Sequence, residues 1–175
     1  EGELENKTSW QRTDHKGAYG GNGMGFCDMT ERDHRMARAA YWAMCDLIDA
    51  QVGRLMKALE ESGQRENTVV IYTSDHGEML GDHGIYLKGP YLYEEAIHVP
   101  LILSYPGTWK AGVRSSALAE LVDLPQTLLD AVGLPHNPGM QGRSLHGLLS
   151  GASDASHHRD DVYCEYYNSN QRYET

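Results

Sequence analysis

Cysteine is scarce in this chain: Cys27, Cys45 and Cys164 are odd in number and widely spaced. With no Cys-x-x-Cys pair, neither a zinc ribbon nor a disulfide framework is supported. Basic charge is also short, with 15 Lys and Arg against 25 Asp and Glu for a net of −10. That balance argues against a general nucleic-acid binder and against a basic membrane-surface helix, and it is ordinary for soluble enzymes. No apolar run reaches the ~18 residues of a bilayer span. P-loop and Gly-x-Ser-x-Gly patterns are missing, which removes a phosphate cradle and a nucleophile elbow. Gly17, Gly20, Gly21, Gly23 and Gly25 have no strand before them, so they are not a dinucleotide fingerprint. The chain opens on Glu1 with neither Met nor signal peptide and stops in Arg172-Tyr173-Glu174-Thr175. A fragment is therefore expected, and localisation stays open.

What is present reads as helix alternating with strand. Residues 1 to 30 lack periodicity and are expected to be a loop or lid. Thr30 with Asp33 resembles a capping box. After it Ala37, Ala40, Tyr41, Met44, Leu47, Ile48, Val52, Leu55, Met56 and Leu59 recur at helical spacing up to Gly63. That predicts a helix over 31–62, with Met44 and Met56 in the core. Thr68 to Thr73 is a strand without polar alternation, as in sheets covered on both faces. Pro100 to Tyr105 is a second strand. Asp123, Pro125, Gln126 and Gly133 frame a short helix, and another is expected over 144–149. Val162 to Tyr167 is a last strand candidate. The expected class is α/β, part of a doubly wound, mostly parallel sheet flanked by helices, with the start of a small C-terminal subdomain. Divisions are expected at 1–30, 31–150 and 151–175. Two strands cannot form a parallel core buried on both faces, so sheet partners are expected elsewhere.

The chemistry gathers at the end of the first strand, in Ser74-Asp75-His76-Gly77. Ligands of open α/β sheets bind beyond the carboxyl ends of strands. An aspartate and a histidine side by side there need a partner, and a metal ion is one that both can hold. The competing reading is a turn in which Asp75 caps a helix starting near Glu78. Gly81-Asp82-His83-Gly84 nearly repeats the motif. His83 reads either as a contact to substrate or outer-shell support, or as a satisfied structural histidine. Lys88 follows between glycines, where a point charge beside a metal would hold an anionic oxygen. Glu94 and Glu95 read as solvated or paired with Lys88 or Arg143. His98 reads as structural. His157 and His158, beside Asp160 and Asp161, read as a solvated loop.

Taken together, residues 67–78 (Asn67 to Glu78), Gly81-Asp82-His83-Gly84, Lys88 and His98-Val99-Pro100-Leu101-Ile102 resemble the sulfatase family of the alkaline-phosphatase superfamily. The flanking stretches 41–53, 120–129 and 141–145 agree with it in order. The resemblance implies an alkaline-phosphatase-like fold, of which 31–150 would be part of the catalytic domain. It implies that Asp75 and His76 bind one divalent metal, with calcium ahead of manganese or another ion. It implies that Lys88 contacts the sulfate group. The family nucleophile is a Cys or Ser in Cys/Ser-x-Pro-x-Arg, converted to formylglycine, and no cysteine here is followed by that pattern. The implied activity is sulfuric-ester hydrolysis, on a small-molecule or carbohydrate sulfate ester. The alternatives are a phosphonate monoester or phosphodiester hydrolase of the same superfamily, and a degenerate, non-catalytic domain. No nucleic-acid partner and no membrane span are expected, and oligomeric state is open.

Overall fold

The computed structural model describes residues 28–88 and 90–166. The expected lid therefore lies almost wholly outside the described residues, as do Cys27 and Tyr167. Among the described residues four helices and two strands follow in order: α1 (Glu31–Glu61), β1 (Val70–Thr73), α2 (Glu94–Ile97), β2 (Leu101–Ser104), α3 (Leu124–Ala131) and α4 (His146–Ser150).

The start of α1 is set by the reciprocal cap read from the sequence. The Thr30 N–H donates to Asp33 Oδ2 at 2.8 Å and the Asp33 N–H donates to Thr30 Oγ1 at 3.3 Å. These bonds satisfy two of the orphan donors of a helix N-terminus. The Thr30 hydroxyl, then its N–H, holds the Asp33 carboxyl below its ordinary value. Farther along, α1 departs from expectation. None of its residues is buried. Trp42 is 72% exposed and Met44 55%, so Met44 is not a core residue among the described parts of the chain. Helical periodicity establishes which side of α1 is apolar, and the cover for that side must come from another layer.

β1 and β2 pair antiparallel, with Val70 opposite Ser104 and Thr73 opposite Leu101. The local pairing thus differs from the mostly parallel expectation. A parallel return needs a crossover that carries the chain back along the sheet, usually a helix. Residues 74–100 hold only a short 3₁₀ turn (Asp82–Gly84) and the four-residue α2. The chain re-enters the sheet at the end where it left. An apolar run without alternation reports cover on both faces and says nothing of direction. Mostly parallel α/β sheets also carry antiparallel strands. Residues 162–166 form no strand.

The contacts divide the chain into two compact units. In the first, Met79, Ile85, Tyr91 and Ala96 form a small core. The N-terminal turns of α1 dock on its loop. Arg38 Nη2 reaches Asp82 at 2.5 Å, Arg38 Nε donates to the Leu80 carbonyl at 3.0 Å, and His34 stacks on Tyr86.

The second unit holds the strand pair, α3 and α4. Its centre is Asp123, which is fully buried. The Asp123 carboxylate accepts the Arg143 N–H at 2.7 Å, the Glu120 N–H at 2.9 Å and the Arg159 guanidinium. The expected cap by Asp123 is therefore replaced. Glu120 and Asp123 cap the 3₁₀ turn Leu121–Asp123 that leads into α3. Thr127 ties α3 to the start of α4, taking the Leu145 N–H at 2.8 Å. The indole N–H of Trp109 donates to His146 Nδ1 at 3.1 Å.

Candidate metal half-site

Asp75 and His76 leave β1 in an irregular turn, and no helix starts at Glu78. The reading of Asp75 as a helix cap is therefore set aside. Asp75 is bound through one oxygen, with the His76 N–H donating to Oδ1 at 3.0 Å. Its side chain is 86% exposed, and Oδ2 faces His76 Nε2 at 3.6 Å. Burial pulls the Asp75 carboxyl upward. The His76 N–H, the imidazole, its own N–H and the charge of Lys88 outweigh that and hold it below the ordinary carboxylate value.

The imidazole of His76 is oriented by its neighbour. Its Nδ1 lies 2.7 Å from the Gly77 carbonyl oxygen. A carbonyl only accepts, so Nδ1 carries the proton. In the neutral ring Nε2 then keeps its lone pair. A backbone carbonyl on the far nitrogen is the usual means of fixing a metal-ligating histidine. One carboxylate and one imidazole so prepared suit a divalent ion, and their separation lets both reach it. They are a partial set: among the described residues no group of three or more His, Cys, Asp or Glu is placed to hold a metal.

Lys88 is exposed and its charge is felt at Asp75. The loop between them folds back on itself. Leu80, His83 and Leu87 all have left-handed backbone, at φ 47°, 55° and 63°. Each such residue costs about 1–3 kcal/mol, and strain of this kind persists only where the surroundings impose it. Glu78 supplies the constraint, because its Oε1 accepts the N–H of Leu80 at 3.2 Å and of Leu87 at 2.5 Å. The Met79 N–H donates to the Leu87 carbonyl at 2.9 Å. From sequence Glu78 is expected only as the start of a helix. Its position directly after the motif, ahead of a glycine-rich run, was the available signal.

The second near-copy of the motif is built differently from the first. Asp82 is paired with Arg38. His83 lies flat on Tyr93, with ring centroids 4.1 Å apart, and its Nε2 is 3.5 Å from Glu95 Oε2. Glu94 takes His98 at 2.9 Å. The expected pairing of these acids with Lys88 or Arg143 is thus replaced by histidine partners. His98 is exposed beside Glu94 and outside the pair. His157 is exposed, as expected, but His158 is not: it is enclosed, with Nε2 3.4 Å from Asp123 Oδ2. The charge it meets lies far away in sequence, which no local pattern reveals.

The Sulfatase family model matches residues 7–134 of this chain. The chain belongs to the sulfatase family. Arylsulfatase K of Danio rerio is 38% identical over 143 residues, covering 81% of this chain and 27% of that protein. N-acetylglucosamine-6-O-sulfatase of Bacteroides thetaiotaomicron is 39% identical over 128 residues, covering 73% of this chain and 23% of the relative. Among solved structures, a phosphonate monoester hydrolase from Silicibacter pomeroyi superposes with a TM-score of 0.68 at 36% identity, covering 80% of this chain and 27% of that one. This sulfatase-family chain thus spans about a quarter of the length of the relatives it matches. The alkaline-phosphatase-like α/β class holds, and the described residues are a part of that domain. Among them no helix is long and apolar enough to cross a membrane.

Proposed function

We propose that the protein containing this chain hydrolyses sulfuric esters, with Asp75 and His76 supplying part of a divalent metal site and Lys88 holding the anionic group. The observation that carries this reading is the preparation of His76. Its Nδ1–H is committed to the Gly77 carbonyl, which turns Nε2 outward beside a largely exposed carboxylate. When bound, a divalent ion would neutralise anionic oxygens of the substrate.

The chain's own residues do the remaining work. Asp75 is held in its ionised form by the N–H of His76 and by the charge of Lys88, so it is ready as an oxygen donor at neutral pH. Lys88 presents three rotatable donors on an exposed stem, suited to a tetrahedral anion as charge builds on its leaving oxygen. Glu78 and the left-handed loop fix the backbone that leads to Lys88. A formylglycine nucleophile would come from a Cys/Ser-x-Pro-x-Arg motif, which these 175 residues do not contain. The family resemblance puts calcium first, and manganese is the second choice because an imidazole ligand suits calcium less well than oxygen does. The substrate class is a small-molecule or carbohydrate sulfate ester. The likeness to N-acetylglucosamine-6-O-sulfatase supports the carbohydrate.

A second reading has its own support. The likeness to phosphonate monoester hydrolase favours a phosphorus ester at the same site. Rates of the full-length protein on an aryl sulfate and on the matched phenyl phosphonate monoester separate the two. The account expects faster turnover of the sulfate. Faster turnover of the phosphonate replaces it with the second reading, and turnover of neither indicates a non-catalytic domain.

A further inference from the structure

Resting on the metal reading above, we infer that α2 is the positioning element of the half-site. Its backbone grips Gly77 and thereby sets the ring of His76, and His83 acts at one remove by holding α2.

The grip is visible in two contacts. The Gly77 N–H donates to the Ala96 carbonyl at 2.8 Å. A Cβ on Gly77 would lie 1.8 Å from the Glu95 carbonyl oxygen. The backbone of the turn therefore approaches α2 more closely than any other residue type permits, and the obstacle is main chain that cannot rotate away. The Gly77 carbonyl is the same group that accepts the His76 Nδ1–H. Wherever α2 holds Gly77, the imidazole must follow. Ala96, buried in the small core with Met79, Ile85 and Tyr91, fixes α2 from the inner side.

His83 fixes α2 from another side. One ring face covers Tyr93, the residue that precedes α2, and Nε2 meets Glu95 within it. The Glu95 Oε2 that it faces is buried and has no hydrogen-bond partner, and His83 Nε2 at 3.5 Å is the polar atom set against it. These commitments direct His83 to residues 93–95. It is a positioning residue, three links removed from the ligand His76: His83 to α2, α2 to Gly77, Gly77 to His76.

A merely structural glycine gives the control. A Cβ on Gly142, in the other unit, would meet the Val122 carbonyl oxygen at 2.0 Å. Gly77→Ala and Gly142→Ala thus impose similar main-chain conflicts, and only the first touches the grip on His76. The experiment is calorimetric titration of the metal-free full-length protein with MnCl2 and with CaCl2, alongside thermal unfolding. Loss of outer-shell support typically weakens metal binding 10- to 100-fold. Gly77→Ala is expected to weaken binding about tenfold or more, and Gly142→Ala to lower the unfolding midpoint while leaving affinity within about twofold. His83→Asn tolerates the left-handed backbone but cannot stack on Tyr93. It is expected to weaken binding in the same direction, and it carries the test if Gly77→Ala does not fold. Unchanged affinity in either variant, or equal loss in Gly142→Ala, overturns the inference while leaving the metal site standing. A wild-type protein that binds neither ion overturns the metal reading itself.

Discussion

Asp75 and Asp123 are the same residue type used in opposite ways. Asp123 is fully buried, and its oxygens take the N–H groups of Glu120 and Arg143 and the guanidinium of Arg159. Asp75 is 86% exposed, with Oδ2 turned to the lone-pair side of His76. A buried carboxylate must have every oxygen answered, because an uncompensated charge in a dry interior is costly. One held at the surface by a single backbone bond keeps donor capacity for a ligand. The two units that carry them divide accordingly. The unit around Asp123 is fastened by charge pairs, whereas in the unit around Asp75 a carboxylate and an imidazole face each other ahead of a loop with left-handed backbone.

The largest effect expected from breaking this contrast is on stability. Asp123→Ala takes one of the two carboxylates from the buried Arg159 guanidinium, leaving only Glu120, and removes the acceptor of the Glu120 and Arg143 N–H groups. It should cost about 3–5 kcal/mol of unfolding free energy, measured in urea. A loss below about 1 kcal/mol would place Asp123 with ordinary surface residues. Next comes Lys88→Ala. It should lower kcat on an aryl sulfate by about 10²–10³ with little change in the unfolding midpoint, because the side chain lies outside the core. Equal turnover by wild type and variant would remove Lys88 from the site.

The smallest effect concerns the cap of α1. Thr30 holds the folded Asp33 carboxyl below 3.8, its ordinary value. The folded pKa is thus depressed relative to the unfolded one. The stabilisation is fully present above the unfolded value and disappears as pH falls through the folded value. Helix content followed by circular dichroism should fall on acidification through and below about pH 4, and Thr30→Ala should shrink the part of that fall that the cap causes. An identical acid profile in the variant would mean that the cap does not hold α1.

These contrasts also show what a sequence exposes. The cap of α1, the helix and both strands were legible because each depends on neighbours within a few residues. Asp75, His76 and Lys88 are grouped by the family pattern, and the structure adds that Asp75 and His76 face each other. Strand direction was not legible, since it follows from the compactness of residues 74–100 and not from either strand. The partners of Asp123 were hidden for the same reason: Arg159 and His158 meet it across more than thirty residues. Glu78 stood next to the motif, yet its role depends on two left-handed turns that close the loop onto it.

The comparison of the two aspartates is tested most directly by metal titration of the full-length protein carrying Asp75→Asn. The account predicts that wild type binds one divalent ion per chain, that Asp75→Asn binds it at least about tenfold more weakly, and that the variant unfolds at the wild-type midpoint. Undiminished affinity in Asp75→Asn would contradict the central claim that this exposed carboxylate is half of a metal site.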